Sequence, residues 1–255
     1  MTLSVALITH NEEANLGRTL ASVRPLVDAL GGEIIVLDSG STDRTREIAA
    51  SFGAKVFVED WKGFAAQKNS ALDKATGNWV LLLDADEEVS SGLAAELATA
   101  VRAGSSDVAG YWMPRRNHFL GRWIRHGGFW PDPKLRFFRR GAGRVEDRPV
   151  HETVQVQGAT GRLRGALIHH AYPTLEIYLE HMRRYAALGA EMIRHKPRWW
   201  LWLNRWLNPP LTFLYNYLFR LGFLDGREGL LLHWHHARYV RWKYAAALRA
   251  SAPRR

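Results

Sequence analysis

The stretch GNWVLLLDADEEVS, residues 77–90, places a run of apolar residues directly before a cluster of acidic ones. The apolar part, residues 79–83, has the length and composition of a strand that is buried on both faces of a sheet. The acids that follow are Asp84, Asp86, Glu87 and Glu88. Because like charges gathered at one strand end repel one another, this segment predicts that something positively charged binds there.

The first 110 residues alternate between short apolar runs and segments with helical periodicity. Four strands are predicted, in LSVALIT, EIIVLDSGS, KVFVED and WVLLLDADEEV. The predicted helices are NEEANLGRTLASVRPLV, Thr42 to about Phe52, FAAQKNSALDKA, and SGLAAELATAVRA with Ser90 or Ser91 as its cap. Strands that alternate with helices pair in parallel, so we expect a doubly wound α/β sheet.

Polar side chains follow each of the four predicted strands. They fall in residues 9–13, 38–43, 59–60 and 84–88. Ligands of such sheets bind outside the carboxyl ends of the strands, so we expect these residues to form one nucleotide-binding rim. Asp84 and Asp86 leave the same face of the chain, and a divalent cation such as Mg²⁺ commonly bridges carboxylate and substrate phosphate. The pattern therefore favours a site for a metal and a diphosphate, and an acid cluster that caps the next helix is the alternative.

Charge and tryptophan are unevenly distributed along the chain. Residues 1–110 contain 9 Lys+Arg and 16 Asp+Glu, whereas residues 111–255 contain 26 and 9, together with nine of the 11 tryptophans. This asymmetry suggests two functional parts. The absence of cysteine excludes disulfides and thiolate metal sites, and it fits a reducing compartment. The N-terminal sequence, with no basic segment and a short apolar run, predicts no secretory signal.

The C-terminal third is rich in tryptophan and arginine. A long helix is predicted from Leu175 to about His195, and the stretch KPRWWLWLNRWLNPPLTFLYNYLFRLGFLDG follows. Asn, Arg and Pro residues interrupt every window long enough to span a membrane. Trp residues beside Lys and Arg are typical of a helix that lies on an anionic membrane surface. Helices that pack on the rest of the protein are the alternative.

Other classes of function also fit parts of the sequence. A pI of about 10.1 and arginines beside aromatic residues suggest a nucleic-acid-binding protein. The acidic first half argues against this, as does the lack of a helix-turn-helix or zinc pattern, so we expect no nucleic-acid partner. A phosphatase that uses an aspartate nucleophile also carries D-x-D after a strand, but Glu88 stands where that chemistry normally has Thr or Val. A non-catalytic nucleotide-sugar binder stays open.

The segments VALITHNEEANL, IIVLDSGSTDRT, QKNSAL and VLLLDADEEV, in this order and spacing, resemble the family 2 glycosyltransferases with the GT-A fold. The resemblance covers roughly residues 3–155. PKLRFFRRG…VEDRPVHE and LGFLDGREGLLL further resemble the branch that builds bacterial lipopolysaccharide core. That branch transfers glucose or a similar hexose to an inner-core heptose, so the resemblance implies this reaction with a UDP-sugar donor.

The resemblance implies roles for particular residues. The family's D-x-D falls on Asp84 and Asp86, which would hold Mg²⁺ or Mn²⁺, and His169 is a further candidate ligand. The donor contacts would be Thr9, Asn11, Glu12, Asp38, Lys68 and Asp84, with Asp38 on the uracil. Arg136, Arg139 and Arg148 suit a phosphorylated acceptor, because planar guanidinium groups bind phosphate well.

The resemblance also implies an inverting transfer, in which a carboxylate takes the proton of the acceptor hydroxyl. Few acids lie in the second half, and Glu152 in VHE is the favoured base. Asp147 in VED is the second candidate and Asp132 the third.

These observations predict a GT-A catalytic domain at residues 1–172, with a nucleotide-binding half, 1–110, and an acceptor half, 111–172. A helical extension, 173–255, would associate with the membrane. We expect a cytoplasmic enzyme on the inner face of the bacterial membrane. Its acceptor would be lipopolysaccharide core or another glycolipid, and a polyprenyl phosphate is an alternative.

Overall fold

The computed structural model describes residues 1–104, 107–146 and 153–251. Within them, no helix combines the length and the apolar character needed to cross a membrane. The chain divides into two compact units. The first contains the described parts of residues 1–115 and 132–169, and the second contains residues 116–131 and the chain from residue 170 onward. The sequence predicted a boundary after residue 172 but not that residues 116–131 group with the C-terminal helices.

The helices and strands alternate in the first hundred residues and then give way to strands and a helical C-terminal part. The strands are β1 (Leu3–Thr9), β2 (Glu33–Asp38), β3 (Lys55–Val58), β4 (Trp79–Leu83), β5 (Glu87–Val89), β6 (Val108–Met113), β7 (Arg115–Phe119), β8 (Arg122–Trp123), β9 (Lys134–Arg139), β10 (Gly143–Glu146), β11 (Thr153–Val156), β12 (Ala159–Arg162) and β13 (Leu167–Tyr172). The helices are α1 (Leu16–Ala29), α2 (Thr45–Ser51), α3 (Phe64–Asp73), α4 (Ser91–Arg102), α5 (Leu175–Ile193), α6 (Arg198–Leu214) and α7 (Gly226–Ala250). A π-helical segment, Tyr215–Phe219, and a 3₁₀ turn, Gly222–Asp225, separate α6 from α7.

A seven-stranded sheet forms the centre of the first unit, in the order β12-β6-β9-β4-β1-β2-β3. Strands β4, β1, β2 and β3 pair in parallel, while β9 runs antiparallel between β4 and β6. Apolar side chains cover both faces: Val5 and Leu7 pack with α1 and α4, and Ala6 packs with α3. The α/β sheet predicted from the sequence is thus confirmed, because strands buried on both faces need helices on both sides.

Several predicted boundaries differ from the structure, and two of the differences have a clear structural cause. Helix α1 begins at Leu16 rather than at residue 11, because the chain before it is bound to a neighbouring loop. The Asn11 amide donates to Ser41 Oγ over 2.9 Å, the Glu12 amide donates to Thr45 Oγ1 over 2.7 Å, and Asn11 has a left-handed φ of 56°. The predicted fourth strand is divided, since the chain turns at residues 84–86 between β4 and β5.

The second unit is mainly helical, with α5 and α6 both packed on α7. Tyr178 and Met182 of α5 lie in one apolar cluster with Leu232 of α7. Leu201 of α6 lies in a second cluster with Tyr244 of α7. These two apolar clusters therefore hold the three helices together.

Candidate active site

The carboxyl ends of β4, β1 and β2 lie side by side in the sheet. Leu7 of β1 is in register with Leu83, and Thr9 is in register with Asp38. The segments that follow these strands, residues 9–13, 38–45 and 84–88, therefore meet at one edge, which we call the strand-end rim. The fourth predicted segment, residues 59–60, follows the parallel strand β3, whose Val58 is in register with Asp38. All four polar segments predicted to share a rim therefore lie at this edge of the sheet.

Asp84, the first residue of the D-x-D pair, is bound by two cationic side chains. The Nζ atom of Lys68, a residue of α3, lies 2.8 Å from Asp84 Oδ1. The Nη2 atom of Arg136, a residue of β9, contacts Asp84 Oδ2. Burial raises the pKa of the Asp84 carboxyl, but Arg136 and Lys68 lower it by more, so the net pKa lies well below its usual range. Asp84 is therefore a carboxylate whose charge the protein itself neutralises.

Asp86, the second residue of the pair, faces a histidine. Strand β13 pairs antiparallel with β5, and this register sets His169 opposite Glu87. The Nε2 atom of His169 then lies 3.2 Å from Asp86 Oδ2. Burial, the largest single cause, raises the pKa of Asp86, but the hydrogen bond and the charge interaction with His169, together with Arg115, outweigh it in sum, so the net pKa is depressed. The structure thus brings together two of the three predicted metal ligands, Asp86 and His169.

The remaining acids of the cluster also have cationic partners. Glu87 is fully buried, accepts a hydrogen bond from the Asp84 amide over 3.1 Å, and is bound by Arg115 Nη1 at 2.9 Å. The same guanidinium binds Asp132 at 2.8 Å, and Arg18 Nε lies 2.8 Å from Glu88. Sequence reasoning missed Arg115, whose signal was its position two residues after the strand end at Met113.

Asp132, the third candidate base, is held between Arg115 and Lys134, whose Nζ lies 2.9 Å from Asp132 Oδ1. Two adjacent cations stabilise the ionised form of a carboxylate and make it a weaker proton acceptor. This position argues for an electrostatic role rather than for the role of general base.

Asp38, the predicted uracil contact, is fully buried. Its Oδ1 atom accepts from the amides of Gly40 and Ser41 over 3.1 and 2.8 Å, and its Oδ2 atom accepts from Thr9 Oγ1 over 2.9 Å and from Ser41 Oγ. In this arrangement the carboxylate has no surface that could meet a nucleobase. A direct uracil contact stays a prediction that requires Asp38 to give up one of these bonds.

Asn11 and Glu12 occupy the outer side of the strand-end rim. Asn11 Oδ1 accepts from the Thr42 amide over 2.9 Å, and the Glu12 carboxylate accepts from Asn15 Nδ2 over 3.0 Å. Burial, with smaller contributions from Asp86 and other acids, raises the pKa of Glu12 against the effect of Asn15. Both residues are placed where they could contact a ligand at this edge.

The structure does not bring Arg139 to the strand-end rim. Arg139 is paired with Trp79, at the opposite end of β4, and its guanidinium lies 4.8 Å from the Trp79 ring centroid. It also donates to the carbonyls of Val108 and Gly104. Strand β9 runs antiparallel to β4 and so carries Arg139 to the end of β4 that lies opposite Asp84. Contact of Arg139 with acceptor phosphate stays a prediction. Glu152, Asp147 and Arg148 lie outside the described residues.

The donor atoms at the strand-end rim fit a divalent cation if a bound ligand supplies the remaining coordinating atoms. Among the residues described here, no group of three or more His, Cys, Asp or Glu side chains is gathered for metal binding. Asp86 and His169 supply one oxygen and one nitrogen donor. Mg²⁺ characteristically binds one or two carboxylates together with substrate phosphates and water, and imidazole nitrogen suits Mn²⁺ less than oxygen does. The pair is thus compatible with a metal shared with a diphosphate.

Comparison with known proteins defines the class. Residues 4–170 match the model of glycosyl transferase family 2, and the chain belongs to this family. It is 30% identical over 234 residues to the lipopolysaccharide core biosynthesis glycosyltransferase LpsC of Rhizobium meliloti, a match that covers 88% of this chain and 82% of that protein. The resemblance read from the sequence motifs is confirmed.

Two solved structures share the fold. The mannosyltransferase PcManGT from Pyrobaculum calidifontis, in complex with GDP-Man and Mn²⁺, aligns with a TM-score of 0.53 and 18% identity over 98% of this chain and 74% of that one. TarS 1–349 of S. aureus in complex with UDP aligns with a TM-score of 0.50 and 16% identity over 98% and 91%. At these identities the likeness concerns the fold, and the predicted GT-A class is confirmed.

Arg115 is expected to be essential for the stability of the first unit. Arg115→Met leaves the fully buried Glu87 without its nearest cation, and breaking a buried ion pair in this way costs about 3–5 kcal/mol. Guanidinium denaturation followed by circular dichroism measures the loss. The matched control is Arg194→Met, whose pair with Glu191 is exposed on both sides and should cost less than about 0.5 kcal/mol. Equal losses in the two variants would contradict the role given to Arg115.

Proposed function

We propose that this family 2 glycosyltransferase transfers a hexose, with glucose favoured, from a UDP-sugar to an inner-core heptose of lipopolysaccharide or a related cell-envelope glycan. The observation that carries the proposal is the strand-end rim, where a carboxylate–histidine pair lies beside a carboxylate held by two cations. The relative LpsC, named for lipopolysaccharide core biosynthesis, supports the choice of acceptor.

The donor diphosphate would bind between these two pairs. A diphosphate carries negative charge that grows on its leaving oxygen during transfer, and nearby cations stabilise it. Lys68 and Arg136 are both bound to Asp84, and Lys68 is only 5% exposed. Both cations therefore already lie at the strand ends. A bound diphosphate could share them with Asp84 at little cost in side-chain order. TarS in complex with UDP and PcManGT in complex with GDP-Man share the fold, which supports a nucleotide-linked donor.

Asp86 and His169 would hold the divalent metal, with Mg²⁺ and Mn²⁺ as candidates. When bound, the metal supplies positive charge that polarises the diphosphate of the donor. The Mn²⁺ in the PcManGT complex supports this assignment. Asp84 stays a further candidate ligand. Asp86 is the better candidate, because Asp84 is already bound by two cations.

Glu152 would act as the general base, with Asp147 as the second candidate. The base must take the proton of the acceptor hydroxyl as that oxygen attacks the anomeric carbon opposite the leaving diphosphate, which gives inversion. Asp147 directly follows β10 in the sequence, and Glu152 directly precedes β11. The proposal keeps the predicted cytoplasmic location at the inner face of the membrane and the division after residue 172.

The reaction is tested by product analysis. The purified protein is incubated with Mg²⁺ or Mn²⁺, a panel of nucleotide sugars, and either truncated core lipopolysaccharide or a polyprenyl phosphate, and the products are weighed by mass spectrometry. We expect a gain of one hexose on the core acceptor with a UDP-sugar. A product on polyprenyl phosphate alone would move the acceptor to that class, and the absence of both transfer and donor hydrolysis would favour a non-catalytic binder.

Asp86→Asn should weaken metal-dependent donor binding by at least about tenfold, because an amide is a poorer ligand than a carboxylate for a hard cation. Isothermal titration with UDP in the presence and absence of Mn²⁺ measures this effect. The control is Asp73→Asn, an exposed acid paired with Arg144 on the surface, which should bind as the wild type does. Unchanged titration of the Asp86 variant would remove Asp86 from the metal site.

Glu152→Gln should keep donor binding and lose transfer by about 10²–10⁴-fold, the usual contribution of a general base. Asp147→Asn is the paired variant, and steady-state turnover with the core acceptor compares the two. Near-normal turnover of the Glu152 variant together with a large loss in the Asp147 variant would assign the base to Asp147.

A further inference from the structure

Helix α6 exposes an apolar face. Its solvent-exposed side chains recur at spacings of three and four residues, so they share one side of the helix. They are Trp199, Trp202, Leu203, Trp206, Leu207, Pro210, Leu211 and Leu214, and we call them the outward face of α6. The exposed fractions of Trp199, Trp202 and Leu211 are 68%, 59% and 58%. Such values are high for large apolar side chains at regular spacing.

The opposite side of α6, which packs on α7, carries polar groups. Asn208 Nδ2 donates to Tyr244 OH on α7 over 2.7 Å and to Asn204 Oδ1 over 2.8 Å. Leu201 is buried against the same part of α7. A surface helix normally turns its apolar stripe toward the protein and its polar side toward water. On helix α6 the exposed side is the more apolar one, although Leu201 is buried on the inward side, so water is an unfavourable neighbour for its outward face.

The apolar surface continues beyond the end of α6. In the π-helical segment and the 3₁₀ turn, Leu218, Phe219, Phe223 and Leu224 are exposed, with Phe219 at 79%. Contiguous apolar surface of this extent marks a site of interaction with a protein or a membrane. The question is which partner its surroundings favour.

The charge around this surface is strongly positive. Residues 192–255 contain 12 Lys+Arg and two acids, Asp225 and Glu228. Asp225 is 2% exposed and accepts from the amides of Arg125 and His126, and Glu228 lies 3.8 Å from Arg122. Both acids thus have partners within the second unit, and neither offsets the cations at the surface. A second copy of the same face would bring like charges together.

We propose that the outward face of α6 binds the surface of an anionic phospholipid bilayer, with the helix lying in the plane of the membrane. Trp and Leu side chains would enter the boundary between headgroups and acyl chains, where the rings of tryptophan are preferred. Neighbouring Lys and Arg would contact lipid phosphates, which adds electrostatic attraction to the apolar contact. This inference stands on the second unit and does not rest on the proposed reaction.

Vesicle co-sedimentation of the full chain tests the proposal. Wild-type protein should sediment with vesicles that contain phosphatidylglycerol, should bind pure phosphatidylcholine vesicles much more weakly, and should be released as salt is added. The triple variant Trp199→Gln/Trp202→Gln/Leu211→Gln should lose binding by roughly a hundredfold, because three large apolar side chains no longer leave water. The matched control, Ile177→Gln/Tyr185→Gln/Leu188→Gln, changes three exposed apolar residues of α5 and should bind as the wild type does.

A second measurement keeps the test independent of how the variants fold. Brominated lipids quench tryptophan that enters the acyl-chain boundary, so wild-type fluorescence should fall on addition of brominated anionic vesicles. Absence of both sedimentation and quenching would overturn the proposal, as would equal vesicle binding by the triple variant. A wild-type dimer that the triple variant lacks, seen by sedimentation velocity without vesicles, would assign the face to a second copy instead.

Discussion

The structure of the first unit depends on charge compensation at the carboxyl end of β4. Four carboxylates follow a buried strand within five residues. Because these carboxylates are partly removed from bulk water, the repulsion between them would oppose folding. The chain supplies a cationic or histidine partner for each. The pairs are Asp84 with Lys68 and Arg136, Asp86 with His169, Glu87 with Arg115, and Glu88 with Arg18. The protein's own side chains thus compensate the charges of the rim.

The sequence predicted the acids and missed most of these partners. A strand that ends in carboxylates is a local pattern, and the parallel order of the neighbouring strands follows from the alternation of strands and helices. Arg115 and Arg136 lie 28 and 52 residues from the acids that they bind. Arg115 lies on β7, in the four-stranded sheet β5-β13-β7-β8, and Arg136 lies on β9, which enters the seven-stranded sheet antiparallel between β4 and β6. No short-range pattern specifies either placement. The antiparallel direction of β9 also carries Arg139 away from the rim.

The sequence around a polar residue also does not show whether its side chain binds a ligand or stabilises a loop. The sequence predicted that Asp38 lies at the strand-end rim, and the register of Thr9 with Asp38 places it there. The four hydrogen bonds that its carboxylate accepts come from residues within the rim itself. A carboxylate at a strand end can serve a ligand or fix the loop that would hold the ligand. Burial, which only the structure gives, separates these two uses.

The division of charge along the sequence also has a different meaning in the structure. Residues 1–110 carry an excess of acid, and residues 111–255 an excess of base. Part of that basic excess, in Arg115 and Arg136, pairs with acids of the first half inside one unit, where His169 also contacts Asp86. The two halves of the sequence therefore build one site rather than two electrostatically separate parts. The positive charge that this pairing leaves over is concentrated after residue 192, beside the outward face of α6. There the reversed polarity of the helix and the basic surface favour the same kind of partner, because an anionic bilayer offers both an apolar boundary and negative headgroups.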